Sequence, residues 1–162
     1  MNLRKLHKKI ASLASLTKSN EVLTNIDDDC AVISIGGESD VLVITTDFIN
    51  SSPAIIELGK GSWYHLGQLV VCHNLADLAC SGCAPRFFMS GICAPKDTTS
   101  EELLEFIRGV CDSCKLYNCA LIGGDTKFGR TRSIYGTALG TPFGTGGAFL
   151  RTQAKPGYTN KK

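Results

Sequence analysis

From Met1 to about Lys18, apolar residues recur at Leu3, Leu6, Ile10 and Leu13, with Lys5, Lys8 and Lys9 between them. That spacing predicts an amphipathic helix whose stripe packs on the rest of the domain. Cys30–Ile35 and Val41–Thr46 are rich in β-branched residues and flank the turn-formers Gly36-Gly37-Glu38-Ser39-Asp40. They predict an antiparallel hairpin. Phe48 to Lys60 shows no clear period, and Ser51-Ser52-Pro53 interrupts it. Ser62 is placed to cap a helix from about Trp63 to Ser81, built largely of small and apolar residues and ended by Gly82 and Pro85. Arg86–Ala94 reads as a buried strand stopped by Pro95. Thr98 and Thr99 stand three residues before Glu101 and Glu102, offering two capping boxes for a helix with Leu103, Ile107, Val110 and Cys114 on one face. Asn118 is a left-handed stop, and Cys119–Gly124 and Ser133–Gly140 are further strands. Pro142 to Gly147 turns to Gly, Thr and Pro, which reads as a linker, and the tail to Lys162 has too little apolar content to fold alone.

Strands and helices alternate behind a front hairpin, which predicts an α+β domain: a mixed or antiparallel sheet with helices packed on one face. These strands carry too few polar residues for the other face to meet water, so that face is expected to pair with a second copy in a dimer. A length of 162 residues is enough for one domain with a real core. A net charge of +2 gives no reason to expect nucleic acid or an acidic membrane as partner. No apolar run reaches transmembrane length and no secretion-type leader is visible, so a cytoplasmic protein is expected. Eight cysteines include two CxxC pairs, Cys80/Cys83 and Cys111/Cys114, which invites a structural zinc. The stretch between the pairs holds a strand and half a helix, and is longer than usual for a zinc ribbon. The cysteines also fall where small core residues are expected, so reduced, buried thiols are the preferred reading.

The chemistry lies in the acids. Asp77 sits in the second half of the apolar helix with Asn74 one turn before it, and a carboxylate there is costly to bury uncompensated. Asp27-Asp28-Asp29 precedes the first strand, Asp47 closes Val41–Thr46, and Asp125 closes Cys119–Gly124. The hairpin brings the triple Asp and Asp47 to the same edge of the sheet. A divalent cation bound to phosphate is the natural partner for such a set, and Thr45-Thr46-Asp47 adds the oxygens that hard cations prefer. Gly123-Gly124-Asp125-Thr126 ends its strand in a glycine pair whose N–H groups can approach a phosphate, with the acid holding the accompanying metal. There is no P-loop, no dinucleotide fingerprint, no metal-ligand spacing among His7, His65 and His73, and no Ser-His-Asp arrangement.

The order Asp28-Asp29-Cys30-Ala31, Thr45-Thr46-Asp47, Asn74-Leu75-Ala76-Asp77-Leu78-Ala79 with Gly82 and Ala84-Pro85, then Gly123-Gly124-Asp125-Thr126, resembles the N-terminal domain of the thiamine-monophosphate kinases. These belong to the aminoimidazole-ribonucleotide-synthetase-like superfamily, with selenophosphate synthetase and a hydrogenase maturation protein. The resemblance runs from about Ile26 to Gly157, and the tail from Leu150 to Gly157 is similar to the family's crossing into a second domain. It implies a domain that dimerises through its sheet and binds ATP with several Mg²⁺ ions, for ATP-dependent phosphorylation of a small metabolite. It also implies roles by position: Asp28, Asp29, Thr45, Thr46, Asp47, Asp77 and Asp125 at metal, Gly123, Gly124, Asp125 and Arg151 at the nucleotide, and Asp77 and Asp125 as the catalytic acids. Residues 1–141 would be the ATP- and Mg²⁺-binding domain, and 142–162 a linker and the start of a C-terminal domain whose absence would leave the chain catalytically incomplete.

Three departures accompany the resemblance. Asp27 replaces the family's Gly, the His that follows the Thr-Asp motif and contacts thiamine phosphate has no counterpart in Phe48–Ala54, and the chain ends where the second domain would begin. The alternatives are another superfamily chemistry, such as hydrogenase maturation or selenophosphate synthesis, a non-catalytic dimeric nucleotide-binding protein, and a zinc-stabilised module.

Overall fold

One mixed sheet organises the chain, with strands in the order β1-β2-β5-β3-β4. They are β1 (Ala31–Ser34), β2 (Val41–Ile49), β3 (Cys83–Pro95), β4 (Ala120–Gly129) and β5 (Ser133–Pro142). The helices are α1 (Leu3–Ala14), α2 (Ala54–Glu57), α3 (Trp63–Cys80) and α4 (Ser100–Leu116). The computed structural model describes residues 2–17, 19–24, 26, 28–36, 40–50, 52–144 and 147–153, so Asp27 and the tail from residue 154 lie outside the described residues.

The expected hairpin is present: β1 and β2 pair antiparallel, Ala31 opposite Ile44 and Ser34 opposite Val41. β5 lies antiparallel between β2 and β3, while β4 runs parallel to β3 after the α4 crossover. Alternation sets the faces. Val43, Thr45, Ile134, Ala138 and Phe88 are buried beneath α3, together with Leu66, Val70, Val71 and Leu78 of that helix. α4 adds Phe106 and Val110 to this core. The two helices cross closely at a pair of glycines. A Cβ on Gly67 would stand 2.1 Å from the Phe106 carbonyl oxygen, and one on Gly109 2.0 Å from that of Tyr64. This contact presses the apolar α3 between α4 and the sheet.

The caps follow local chemistry. Ser62 and His65 close a capping box on α3, and Thr99 with Glu102 closes one on α4. Of the two boxes expected at α4, the second is the one formed. At its other end, Asn118 takes a φ of 52° while the Cys119 and Asn118 N–H groups donate to the Cys114 and Lys115 carbonyls. This is a Schellman turn, with Cys114 and Cys119 as its apolar contact.

Several expectations are corrected. The stripe of α1 is not packed away: Ile10 and Leu13 are exposed, and among the described residues α1 adds none to the buried core. β2 does not stop at Asp47 but continues to Ile49. β3 begins at Cys83 and takes in Pro85, with a register shift between Pro85 and Phe87 where the proline cannot donate. β4 runs through the glycine pair to Gly129 rather than ending there. The eight cysteines carry no disulfide, and the buried-thiol reading holds for Cys30, Cys83, Cys114 and Cys119, whereas Cys72, Cys80 and Cys111 are exposed. Each CxxC pair is thus divided between surface and core. Among the described residues, no helix is long and apolar enough to cross a membrane.

Candidate functional site

Three separate stretches deliver acids to one place. Asp29 precedes β1, Asp47 sits near the end of β2, and Asp77 lies in the last turns of α3 where that helix passes over β2. Thr45, pointing inward from β2, links them: its hydroxyl lies 2.9 Å from Asp77 Oδ2 and 3.1 Å from the Asp29 carbonyl oxygen. The Asp47 N–H donates to Asn74 Oδ1 at 3.0 Å, and Asn74 is fully buried. His73 Nδ1 stands 3.4 Å from Asp47 Oδ2. On the far side of the group, Arg151 pairs with the Asp29 carboxylate through its guanidinium. The Arg151 N–H donates to Asp28 Oδ2 at 3.2 Å, and the Asp29 N–H to Asp28 Oδ1 at 2.9 Å.

The electrostatics follow from this crowding. Burial pushes the Asp77 carboxyl above the ordinary aspartate range, and the neighbouring charges of Asp47 and Asp29 push it further. The Thr45 hydrogen bond and His73 pull the other way. Burial likewise raises the Cys30 thiol, which lies in the same group beside Ser81 and Thr45. A site that disfavours its own negative charge in this way favours a cation.

The donors are hard oxygens, of the kind that suit magnesium. Among the described residues, no three His, Cys, Asp or Glu side chains form a ready cage.

Not every acid expected here arrives. Residues directly opposite across a ladder share a face of the sheet, and Asp47, Gly136, Ser90 and Gly124 form one such row. Asp125, the next residue along β4, therefore projects from the opposite face, where Lys127 Nζ lies 3.1 Å from its Oδ2. The idea that all four acids meet at one rim holds for Asp29, Asp47 and Asp77 and fails for Asp125. Thr46 is also on the far face, its hydroxyl donating to the Gly136 carbonyl at 2.7 Å and lying 3.1 Å from the Thr137 hydroxyl. Gly124 has a local reason to be glycine, since a Cβ there would fall 1.8 Å from the Ser90 carbonyl oxygen. Gly123 sits at the register shift between Phe88 and Met89.

Sequence reasoning missed His73, which has no ligand spacing along the chain yet meets Asp47 in space. It also left Asn74 as a neighbour of Asp77 rather than as the hook on β2. The signal available was a lone amide on an apolar helix, which needs partners if buried.

Comparison with known proteins follows the same outline. Residues 27–142 match the family model described as AIR synthase related protein, N-terminal domain. The thiamine-monophosphate kinase of Methanocaldococcus jannaschii is 37% identical over 131 residues, covering 78% of this chain and 39% of that protein. A structure described as AaThiL complexed with AMPPCP and TMP superposes with a TM-score of 0.67 at 23% identity, covering 86% of this chain and 43% of the other. The HypE–HypF complex superposes with a TM-score of 0.63 at 19% identity, covering 91% and 46%. These two likenesses show a shared fold. The chain thus spans about two fifths of the length of that relative.

Proposed function

The chain belongs to the AIR synthase related N-terminal domain family, and from that premise we propose that it is the ATP- and magnesium-binding part of a thiamine-monophosphate-kinase-like phosphotransferase. The observation that carries the reading is the convergence of Asp29, Asp47 and Asp77 around Thr45, with Asp77 unfavourably charged on its own. The Methanocaldococcus relative supplies the kinase, and the AMPPCP and TMP of the ThiL structure supply the ligand classes. The likeness to HypE keeps the hydrogenase-maturation reading as a second, supported by fold alone.

In this reading Asp28, Asp29, Thr45, Asp47 and Asp77 hold the metal that accompanies the nucleotide phosphates. Magnesium bound there would offset the charge that builds on a transferring phosphoryl group. Thr45 orients the Asp77 carboxylate by its hydrogen bond. Arg151 leaves Asp29 to contact the nucleotide, exchanging one anionic partner for another. Thr46, Gly123, Gly124 and Asp125 stand away from the trio, and their roles at phosphate, metal and transfer rest on the resemblance. Residues 1–141 form the nucleotide-binding domain, and 142–162 lead toward the second domain that would complete the acceptor site. The open sheet face, with Ile44, Phe48, Phe87, Met89, Tyr135 and Leu139, pairs with a second copy.

Titration calorimetry of ATP in the presence of Mg²⁺ tests this directly. Saturable binding is expected, weakened at least ~tenfold by Asp77→Asn. Absence of heat from the folded wild-type protein overturns the nucleotide reading and leaves a scaffold.

A further inference from the structure

Asn74 makes more contacts than a core amide needs. Its Oδ1 accepts the Asp47 N–H at 3.0 Å, and its Nδ2 donates to the Val70 carbonyl at 2.9 Å and reaches the Asp47 carbonyl at 3.5 Å. One bond locks the side chain against its own helix, and the others grip both polar groups of the Asp47 peptide. β1 pairs with β2 only as far as Ile44, so among the described residues no strand borders the β1-side edge of β2 at Asp47. Asp77 lies three residues on, on the same side of α3.

The opposite strand makes room for the amide. Gly136 faces Asp47 across the ladder, and a Cβ there would stand 2.6 Å from Asn74 Nδ2 and 2.5 Å from the Phe88 ring. Neither the amide nor the glycine is needed to form a strand or a helix. Together they fix how far the Asp47 carboxylate on β2 lies from the Asp77 carboxylate on α3.

We propose that Asn74 is a positioning residue, which holds the Asp47 peptide against α3 and so sets the Asp47–Asp77 spacing, with Gly136 glycine to admit its amide. The proposal rests on the metal–nucleotide reading above and adds a residue that touches neither ligand. Orienting groups behind metal ligands govern affinity strongly, and their loss costs about 10–100-fold.

The test uses Mn²⁺ as a spectroscopic stand-in for magnesium, with free Mn²⁺ followed by electron paramagnetic resonance in the presence of ATP. Wild type, Asn74→Ala and Gly136→Ala are compared, with melting curves showing that each is folded at the assay temperature. Expected are ~10-fold or greater loss of Mn²⁺–ATP affinity in both variants and faster hydrogen exchange at the Asp47 amide, which a general loss of packing would not single out. A folded variant of either kind with wild-type affinity overturns the proposal and leaves the metal reading standing. Failure of the wild type to bind Mn²⁺–ATP sinks the metal reading and this one with it. Should neither variant fold, the wild-type protein still decides: rapid exchange of its Asp47 amide overturns the proposal, and strong protection supports it.

Discussion

At Asp77 a single carboxyl group carries two opposed demands. Burial and the nearby Asp47 and Asp29 charges favour its protonated form, so its proton affinity is higher in the folded than in the unfolded chain. A group of that sign stabilises the fold below the ordinary aspartate value and loses that contribution as pH rises through its raised value. Asp77→Asn, which cannot ionise, is therefore expected to melt above wild type in cation-free buffer, by a margin that grows as pH rises through that window. Calorimetric melting of the two proteins across the acid range checks it. Added Mg²⁺ and ATP should narrow the margin by stabilising wild type more than the variant, because binding to the folded state raises its stability. Greater stability with lost binding is the signature of a residue kept for a ligand.

Among the elements, α3 and α4 depend on their glycine crossing. With carbonyl oxygens 2.0–2.1 Å from where a Cβ would lie at Gly109 and Gly67, backbone has to move. Gly67→Ala is expected to destabilise the domain by ~1–3 kcal/mol or more, measured by urea denaturation. The weakened α3 should also lower cation affinity, since α3 carries Asp77. By contrast, Thr99→Ala removes only the cap of α4 and should cost about 1 kcal/mol with cation binding unchanged. The difference separates an element that places the site from one that supports the core.

For the whole molecule, the proposed pairing turns on the open face of the sheet. Phe48 is 63% exposed and Phe87 41%, and the Phe48 and Tyr135 rings meet at 5.4 Å on that face. An apolar sheet surface of this kind is usually covered. Light scattering of the purified chain is expected to show a dimer. Phe48→Asp should weaken it at least ~tenfold, as loss of a central aromatic does. A wild-type monomer at high micromolar concentration would refute the paired-sheet arrangement. Asp125 and Thr46 face the same surface, so their reach toward the nucleotide depends on what covers it.

What the sequence alone determined are the features that depend on near neighbours. β-branched runs and turn-formers specified the β1–β2 hairpin, Thr99 and Glu102 the start of α4, and Asn118 its end, because hydrogen bonds a few residues apart suffice for each. Four acid motifs in order also sufficed to identify the family. The extent of β3 and β4, the exposure of the α1 stripe and the faces on which the acids emerge required the tertiary structure. Strand register is a pairing between distant segments, and a one-residue step moves a side chain through the sheet. Asp47 and Asp125 each belong to an acid motif, yet the register across β5, β3 and β4 sends one toward α3 and the other away from it. Asn74, silent in its own helix except as a polar residue among apolar ones, found its partner on β2 only because packing carried α3 across that strand.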